Sequence, residues 1–497
     1  MKKSKKIKIL SSLAFVSTFA TAAPLVVTSC TKSEDPGLKI NYLELTNGSS
    51  YTLADNIDPN TFCFNGTNPI YVPVKGRNTP IAINAGDLVR LQLQSVNKQY
   101  KTINNGFLAN CTNLKELDLS GLSRVTSIGN TFLYKCTSLK SISLEPLSKV
   151  KTIGNAFLSS CSSLTSIDLS PLVKLRTIGN AFLNGCTGLT TLDLTNAFIN
   201  VETIGNGFLQ YCSSLTSLQL PKKWFVNSIG DDFLSNCTSL TSVDLTSLRW
   251  VKNLNKHFLF KCSGLTSIKV SPKWNLQSIG DGFLSYCSGF KSLDLSFLSN
   301  VTDVGSGFLQ GCSGLESITL KPLSNVKNIG NYFLSGCNAI KSINLNDLVN
   351  VTTIGADFLY NCDGLEELTW STETKLNTIG NRFVNSCDKL VKLNLSGLTK
   401  VASIGGNFLG DCVALENLDL RSLTSVTAIS NAFLYNCKSL KTFDLFDKDP
   451  NTITINDYWF MKDAAANCTL YARGDFVNAY KNEKPWSTRK DYIQPRA

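Results

Sequence analysis

Residues 139–161 read Leu-Lys-Ser-Ile-Ser-Leu-Glu-Pro-Leu-Ser-Lys-Val-Lys-Thr-Ile-Gly-Asn-Ala-Phe-Leu-Ser-Ser-Cys, and the chain repeats variations of this phrase from about residue 88 to residue 445. Of the 17 cysteines, fourteen (Cys111 to Cys437) fall 25 residues apart, with a single gap of 26 between Cys186 and Cys212. Four residues before each of them stands a Phe, from Phe107 to Phe433, followed by Leu in every unit except at Val384. A fixed period of this length is the signature of a solenoid, in which each unit is one coil that cannot bury its apolar face alone.

One coil can be followed from Leu114 to Cys136. Leu114, Leu117 and Leu119 give L-x-x-L-x-L, and Leu117 and Leu119 alternate with Glu116 and Asp118 as a half-buried strand requires. This predicts a parallel β ladder on the concave side. Leu122, Val125 and Ile128 then turn the chain. Phe132 and Cys136, at i and i+4, are expected on one face of a short helical or 3-10 turn opposite the ladder. The position after Ile128 is Gly in eleven of the fourteen units and Asn104, Asn255 or Ser430 in the others, which suggests a left-handed turn or a helix start. With an earlier strand at Leu88, Leu91 and Leu93 there are about fifteen coils, a ladder on the order of 70 Å long at ~4.8 Å per strand. Residues 38–87 and 446–497 break the pattern and are expected to cap the two ends.

The N-terminus has another logic. Five lysines within the first eight residues, an apolar stretch from Ile9 to Val27 and Val27-Thr28-Ser29-Cys30 spell a lipoprotein signal peptide over residues 1–29. Cys30 is then the acylated N-terminus, residues 30–37 form a polar tether, and the diacylglycerol and fatty acyl chains anchor the protein on the extracellular face of the cell membrane. Losing residues 1–29 leaves 43 basic against 37 acidic residues, so the +11 charge of the whole chain is no nucleic-acid footprint. No cofactor or metal is expected, since the sequence has no C-x-x-C and a single histidine, His257. The periodic cysteines should be buried free thiols whose Cβ vectors run parallel, a geometry that disulfides do not accept. Cys63 and Cys468 lie in the two caps, too far apart to pair.

The unit L-x-x-I-x-L…L-x-x-V-x-x-I-G-x-x-F-L-x-x-C at Leu139–Cys161 and, with Leu175 in the Val place, at Leu164–Cys186 resembles the cysteine-containing bacterial leucine-rich repeats of BspA-like surface proteins. Residues 467–486 resemble the strand, turn and helix that end members of that family, and the signal with the Lys- and Asn-rich composition is similar to mycoplasma-type lipoproteins. The resemblance implies a leucine-rich-repeat solenoid that is no enzyme and that adheres to or interacts with host extracellular or cell-surface proteins. A structural or antigenic coat without a specific ligand is the alternative. It implies no individual site residue.

Candidate sites must therefore depart from the repeat. Trp224, Trp250 and Trp274 follow the strand in three consecutive coils, accompanied by Lys223, Arg249 and Lys273, and are expected along one lateral edge. Aromatic and basic residues together favour an interface; equally, the rings can fold over the strand end, replacing the Leu that Lys223 and Lys273 displace. Arg473-Gly474-Asp475 spells an integrin-recognition tripeptide, yet it falls where the terminal cap needs a turn, with Asp475 placed to cap a helix from Phe476. The serine column and the aspartate column beside it on the strand face (Asp118, Asp168, Asp193, Asp244, Asp294, Asp419 and Asp444) are either a shallow acidic binding face or a soluble sheet surface.

Overall fold

The computed structural model describes residues 41–96, 99–456 and 458–496. The signal peptide, Cys30 and the tether lie outside the described residues. Residues from Ile40 onward form one compact unit. It is a parallel β-solenoid of about 16 coils of roughly 25 residues, with few helices.

Two ladders run along the stack. One is the expected L-x-x-L-x-L ladder, paired in register as Thr191↔Ser217, Leu192↔Leu218 and Asp193↔Gln219, with the central Leu inward and its neighbours exposed. The other is made of two-residue strands at the Thr-Ile positions, from Thr102–Ile103 to Thr454–Ile455, and is the more continuous, with nine consecutive strands from Asn253–Leu254 onward. Sequence patterning hides this ladder because two residues are too few to show alternation. Between the ladders sit the 3-10 turns, for example Ser120–Leu122 and Ser170–Leu172, each burying its Leu.

The expected helical turn at F-L-x-x-C does not form. In all fourteen coils the residue before Phe, the residue after it and the residue before Cys have φ near +50° to +80°; Thr131, Leu133 and Lys135 stand at 58°, 56° and 56°. This alternation turns successive peptide groups toward opposite neighbours. Leu133 N–H donates back to Phe107 O (2.8 Å), while Thr131 and Lys135 N–H donate forward to Asn155 O (2.7 Å) and Ser159 O (2.8 Å). Left-handed backbone costs a non-glycine residue ~1–2 kcal/mol, and it is held here because each coil hydrogen-bonds to both sides.

The glycines after Ile are not left-handed either. They are required by close approach: a Cβ at Gly154 would stand 2.6 Å from Asn130 N and 2.6 Å from Gly129 C of the preceding coil. Among the three exceptions, Asn104 begins the stack, and the Asn255 side chain donates to Ile229 O at 2.9 Å.

Phe107 starts a column of rings that stack coil on coil, 5.1 to 6.2 Å between centroids and within 13° of parallel, up to Phe433. The column does not stop where the repeat was expected to end at residue 445. Phe460 stacks on Phe433 at 5.4 Å, Met461 takes the left-handed Leu place and Ala464 the Cys place. Substitution of Met for Leu and Ala for Cys disguises a true coil.

Thr469–Ala472 and Ile493–Pro495 then extend the first ladder, flanking the helix Val477–Asn482 and the buried Trp486. At the other end, the antiparallel pair Tyr42–Leu45 and Ser50–Thr52 covers the strand Leu88–Gln92. Both edges are thereby paired within the chain.

These conformations predict an unusual order of stabilities. Ala156→Gly and Ala181→Gly, at left-handed positions, should raise the unfolding free energy obtained from urea titration by up to about 1 kcal/mol. Gly154→Ala should lower it by ~1–3 kcal/mol through overpacking. A helix at F-L-x-x-C would make the alanine substitutions to Gly destabilising instead.

Candidate recognition edge

The periodic polar residues have structural partners, which narrows the search. Thirteen cysteines, from Cys136 to Cys437, donate their thiol to the carbonyl of the left-handed Leu, or Val384, of the preceding coil: Cys161 Sγ reaches Leu133 O at 3.1 Å and Cys412 Sγ reaches Val384 O at 3.0 Å. Burial pushes the thiols of Cys161, Cys212, Cys262, Cys312 and Cys437 up to about 12. Cys63 and Cys468 are free, pushed up to about 11 by burial above all.

The residue after the close-approach Gly forms a ladder of its own. Asn130, Asn155 and Asn180 N–H donate in turn to the side-chain oxygens of Asn105, Asn130 and Asn155, at 2.7 to 2.8 Å. The aspartate column is likewise absorbed: Asp118, Asp168, Asp244 and Asp294 accept the N–H that opens the following 3-10 turn, at 2.8 to 2.9 Å. The serines beside them are exposed. Among the described residues no group of three or more His, Cys, Asp or Glu is placed to hold a metal ion. His257 lies at the surface with Nδ1 3.2 Å from Asp232 Oδ1.

The three tryptophans separate. Trp224 and Trp274 are 2% and 3% exposed, filling the place of the 3-10 Leu, with Trp274 Nε1 donating to Val251 O at 2.8 Å. Trp250 alone is half exposed, at 50%, with the Arg249 guanidinium 5.1 Å from its ring centre. Its neighbours on the edge are residues that the sequence pattern did not single out, Phe225 (58% exposed) and Ile199 (43%). Each precedes a buried valine in successive coils, Ile199 by one residue more because of the 26-residue coil. Elsewhere the same position holds Asn300, whose side chain donates to Asn275 Oδ1 at 3.0 Å, or Asn325 and Asn350, which donate to backbone carbonyls of the preceding coil at 2.9 Å. Phe225 and Trp250 interrupt this hydrogen-bonded row, while Ile199 projects beside Asn200, which donates to Val173 O at 2.9 Å. They border a hollow of about 710 Å³ between Ile199, Phe225, Lys222 and Lys223, and a cleft of about 130 Å³ between Phe225 and Trp250. Lys223 and Arg249 therefore flank the exposed rings, whereas Lys273 accompanies the buried Trp274.

At the C-terminal cap the Arg473 guanidinium grips Asp475 through two hydrogen bonds of 2.7 and 2.8 Å, and this holds the Asp475 carboxyl below its usual range. Arg473 also lies 4.3 Å from the Phe476 ring centre. Asp475 does not cap the helix, whose first turn has no side-chain cap, and the space around Gly474 is open. The two charges of the tripeptide are thus closed on each other.

Stacked coils, two parallel ladders and a buried thiol in fourteen successive repeats define a leucine-rich-repeat solenoid, a fold that is typically non-catalytic. The chain belongs to the BspA-type leucine-rich-repeat family, whose profile matches in overlapping copies over residues 87–471. Among curated proteins none matches it. It is similar to a leucine-rich-repeat protein from Bacteroides ovatus, at 20% identity and a TM-score of 0.42, covering 78% of this chain and 95% of that one. It is also similar to a leucine-rich cell surface protein from Faecalibacterium prausnitzii (17%, TM-score 0.40, 66% and 85% covered). The functional domain of InlJ from Listeria monocytogenes, which includes a cysteine ladder, matches at 15% and a TM-score of 0.27, with 80% and 70% covered.

The thiol column carries a pH prediction. Each raised thiol pKa stabilises the fold fully below its ordinary value near 9, and that contribution is lost as pH rises toward about 12. Urea midpoints should be flat in this respect below pH ~8 and fall steadily above ~9. In parallel, these cysteines should resist a thiol-titrating disulfide reagent in the folded chain and react once it is unfolded. Prompt labelling of the native thiols would contradict the buried column.

Proposed function

We propose that the chain is a non-catalytic binding scaffold, anchored through acylated Cys30 on the outer face of a bacterial membrane, that interacts with host extracellular molecules in adhesion. The observation that carries this reading is the interruption of the asparagine row by Phe225 and Trp250, with the exposed Ile199 beside Asn200 in the preceding coil. Exposed rings with unpaired cations beside them gain nothing for the fold, since neighbouring coils hold the same position with a hydrogen-bonded Asn. Partly desolvated aromatics with a nearby Arg are the usual energetic anchors of an interface. The sequence around Cys30 supports surface display, and the regular core supports a rigid platform that presents the edge without rearrangement.

The test is a binding screen of the chain from residue 31 onward against host matrix and serum components, with Phe225→Ser/Trp250→Ser and a deletion of two central coils as comparisons. At least one component should bind, and the double substitution should weaken it by about tenfold or more with the melting temperature unchanged. Absence of binding by the folded chain would favour a coat or spacer role. Labelling of cells with radioactive palmitate should mark the protein and fail with Cys30→Ser; continued labelling would refute the anchor.

A further inference from the structure

We infer that this edge takes a sulfated polysaccharide chain laid across the coils. The inference rests on the reading of the Phe225 and Trp250 edge as the recognition surface and names the chemistry of what it recognises.

The position that holds Phe225 and Trp250 is held in earlier coils by Arg124, Lys149 and Lys174, each exposed and each just before an inward Val or Leu. The adjoining short strands keep these coils in register, Ser127↔Thr152 at one end and Thr203↔Ser228 at the other. One file of side chains therefore runs Arg124, Lys149, Lys174, Asn200, Phe225, Trp250, over ~25 Å at ~4.8 Å per coil. Lys222, Lys223 and Arg249 flank its aromatic end.

None of these six cations makes a salt bridge among the described residues, whereas several lysines on the strand face are paired across coils, as in Lys269–Asp244 (2.8 Å) and Lys441–Glu416 (2.7 Å). Charge is thus partly neutralised between coils on the strand face, and left open along this stretch of the edge. Cations in single file repel one another, and a ligand with regularly spaced anions relieves that repulsion with little conformational cost.

The rings decide what kind of polyanion fits. Pyranose rings present apolar C–H faces between their charged substituents, so a sulfated chain can meet the cations with its sulfates and stack sugar faces on Phe225 and Trp250. The cleft of about 130 Å³ between those rings gives one sugar ring a seat.

The test uses a heparin oligosaccharide as probe and the chain from residue 31 onward, in about 0.15 M and about 0.3 M NaCl. Heparin should bind and its desulfated form should not. Arg124→Ser/Lys149→Ser/Lys174→Ser should weaken binding about tenfold and flatten its salt dependence. Phe225→Ser/Trp250→Ser should weaken it severalfold at both salt concentrations with the salt dependence unchanged. Lys392→Ser/Lys441→Ser, on the paired strand face, should bind as the unaltered chain does.

Three results would overturn the inference: no heparin binding by the folded chain, equal binding of single-stranded DNA or phosphatidylserine vesicles, or full affinity in the aromatic double variant. Binding of a host protein stripped of its glycans, still sensitive to Phe225 and Trp250, would retain the scaffold reading and remove this one. Failure of every ligand, protein and glycan, would remove both.

Discussion

The solenoid depends on how closely one coil's backbone can approach the next. At the Gly after Ile the gap admits no Cβ, and two residues later the chain enters its run of left-handed positions, in which peptide groups reach alternately forward and back. That arrangement turns the carbonyl of the left-handed Leu into the core, where it needs a donor. The thiol of the following coil's Cys supplies one at 3.0 to 3.3 Å, from a small, fully buried side chain. Serine would offer a hydroxyl that is more costly to bury, and alanine would leave the carbonyl without this partner. Thirteen of the periodic cysteines in a chain read as secreted thus find a reason other than disulfides.

The same constraint accounts for most of the repeat's polar residues. Asn after Gly accepts the N–H of its counterpart one coil on, and Asp at the end of the strand accepts the N–H that starts the 3-10 turn. Each is periodic because the orphan backbone group it serves is periodic. A ligand site assembled from such residues would compete with the fold for their hydrogen bonds. Positions without such a partner are the ones free to vary. On the lateral edge the side chain points outward, and the Asn that bonds the preceding coil in some repeats is exchanged for Lys, Phe or Trp in others with the adjoining short strands still in register.

The sequence by itself determined the period, the inward-facing residues, the buried free thiols and the parallel ladder of L-x-x-L-x-L strands, because each follows from the 25-residue spacing and from alternation along a strand. It also directed attention to the edge between residues 222 and 274. Only the tertiary structure decided which side chains are exposed there. Trp224 and Trp274 are drawn inward because Lys occupies the usual Leu place one residue earlier, and this hands the surface to Phe225, while Trp250 stays out because Leu248 already fills the core. The spacing offered that exchange as one of two readings and could not select it. The F-L-x-x-C conformation was equally hidden: Phe and Cys at i and i+4 suit a helical face, but the same two side chains point inward from an alternating left-handed run. What selects between them is hydrogen bonding to coils 25 residues away in both directions, a non-local term that no local pattern contains.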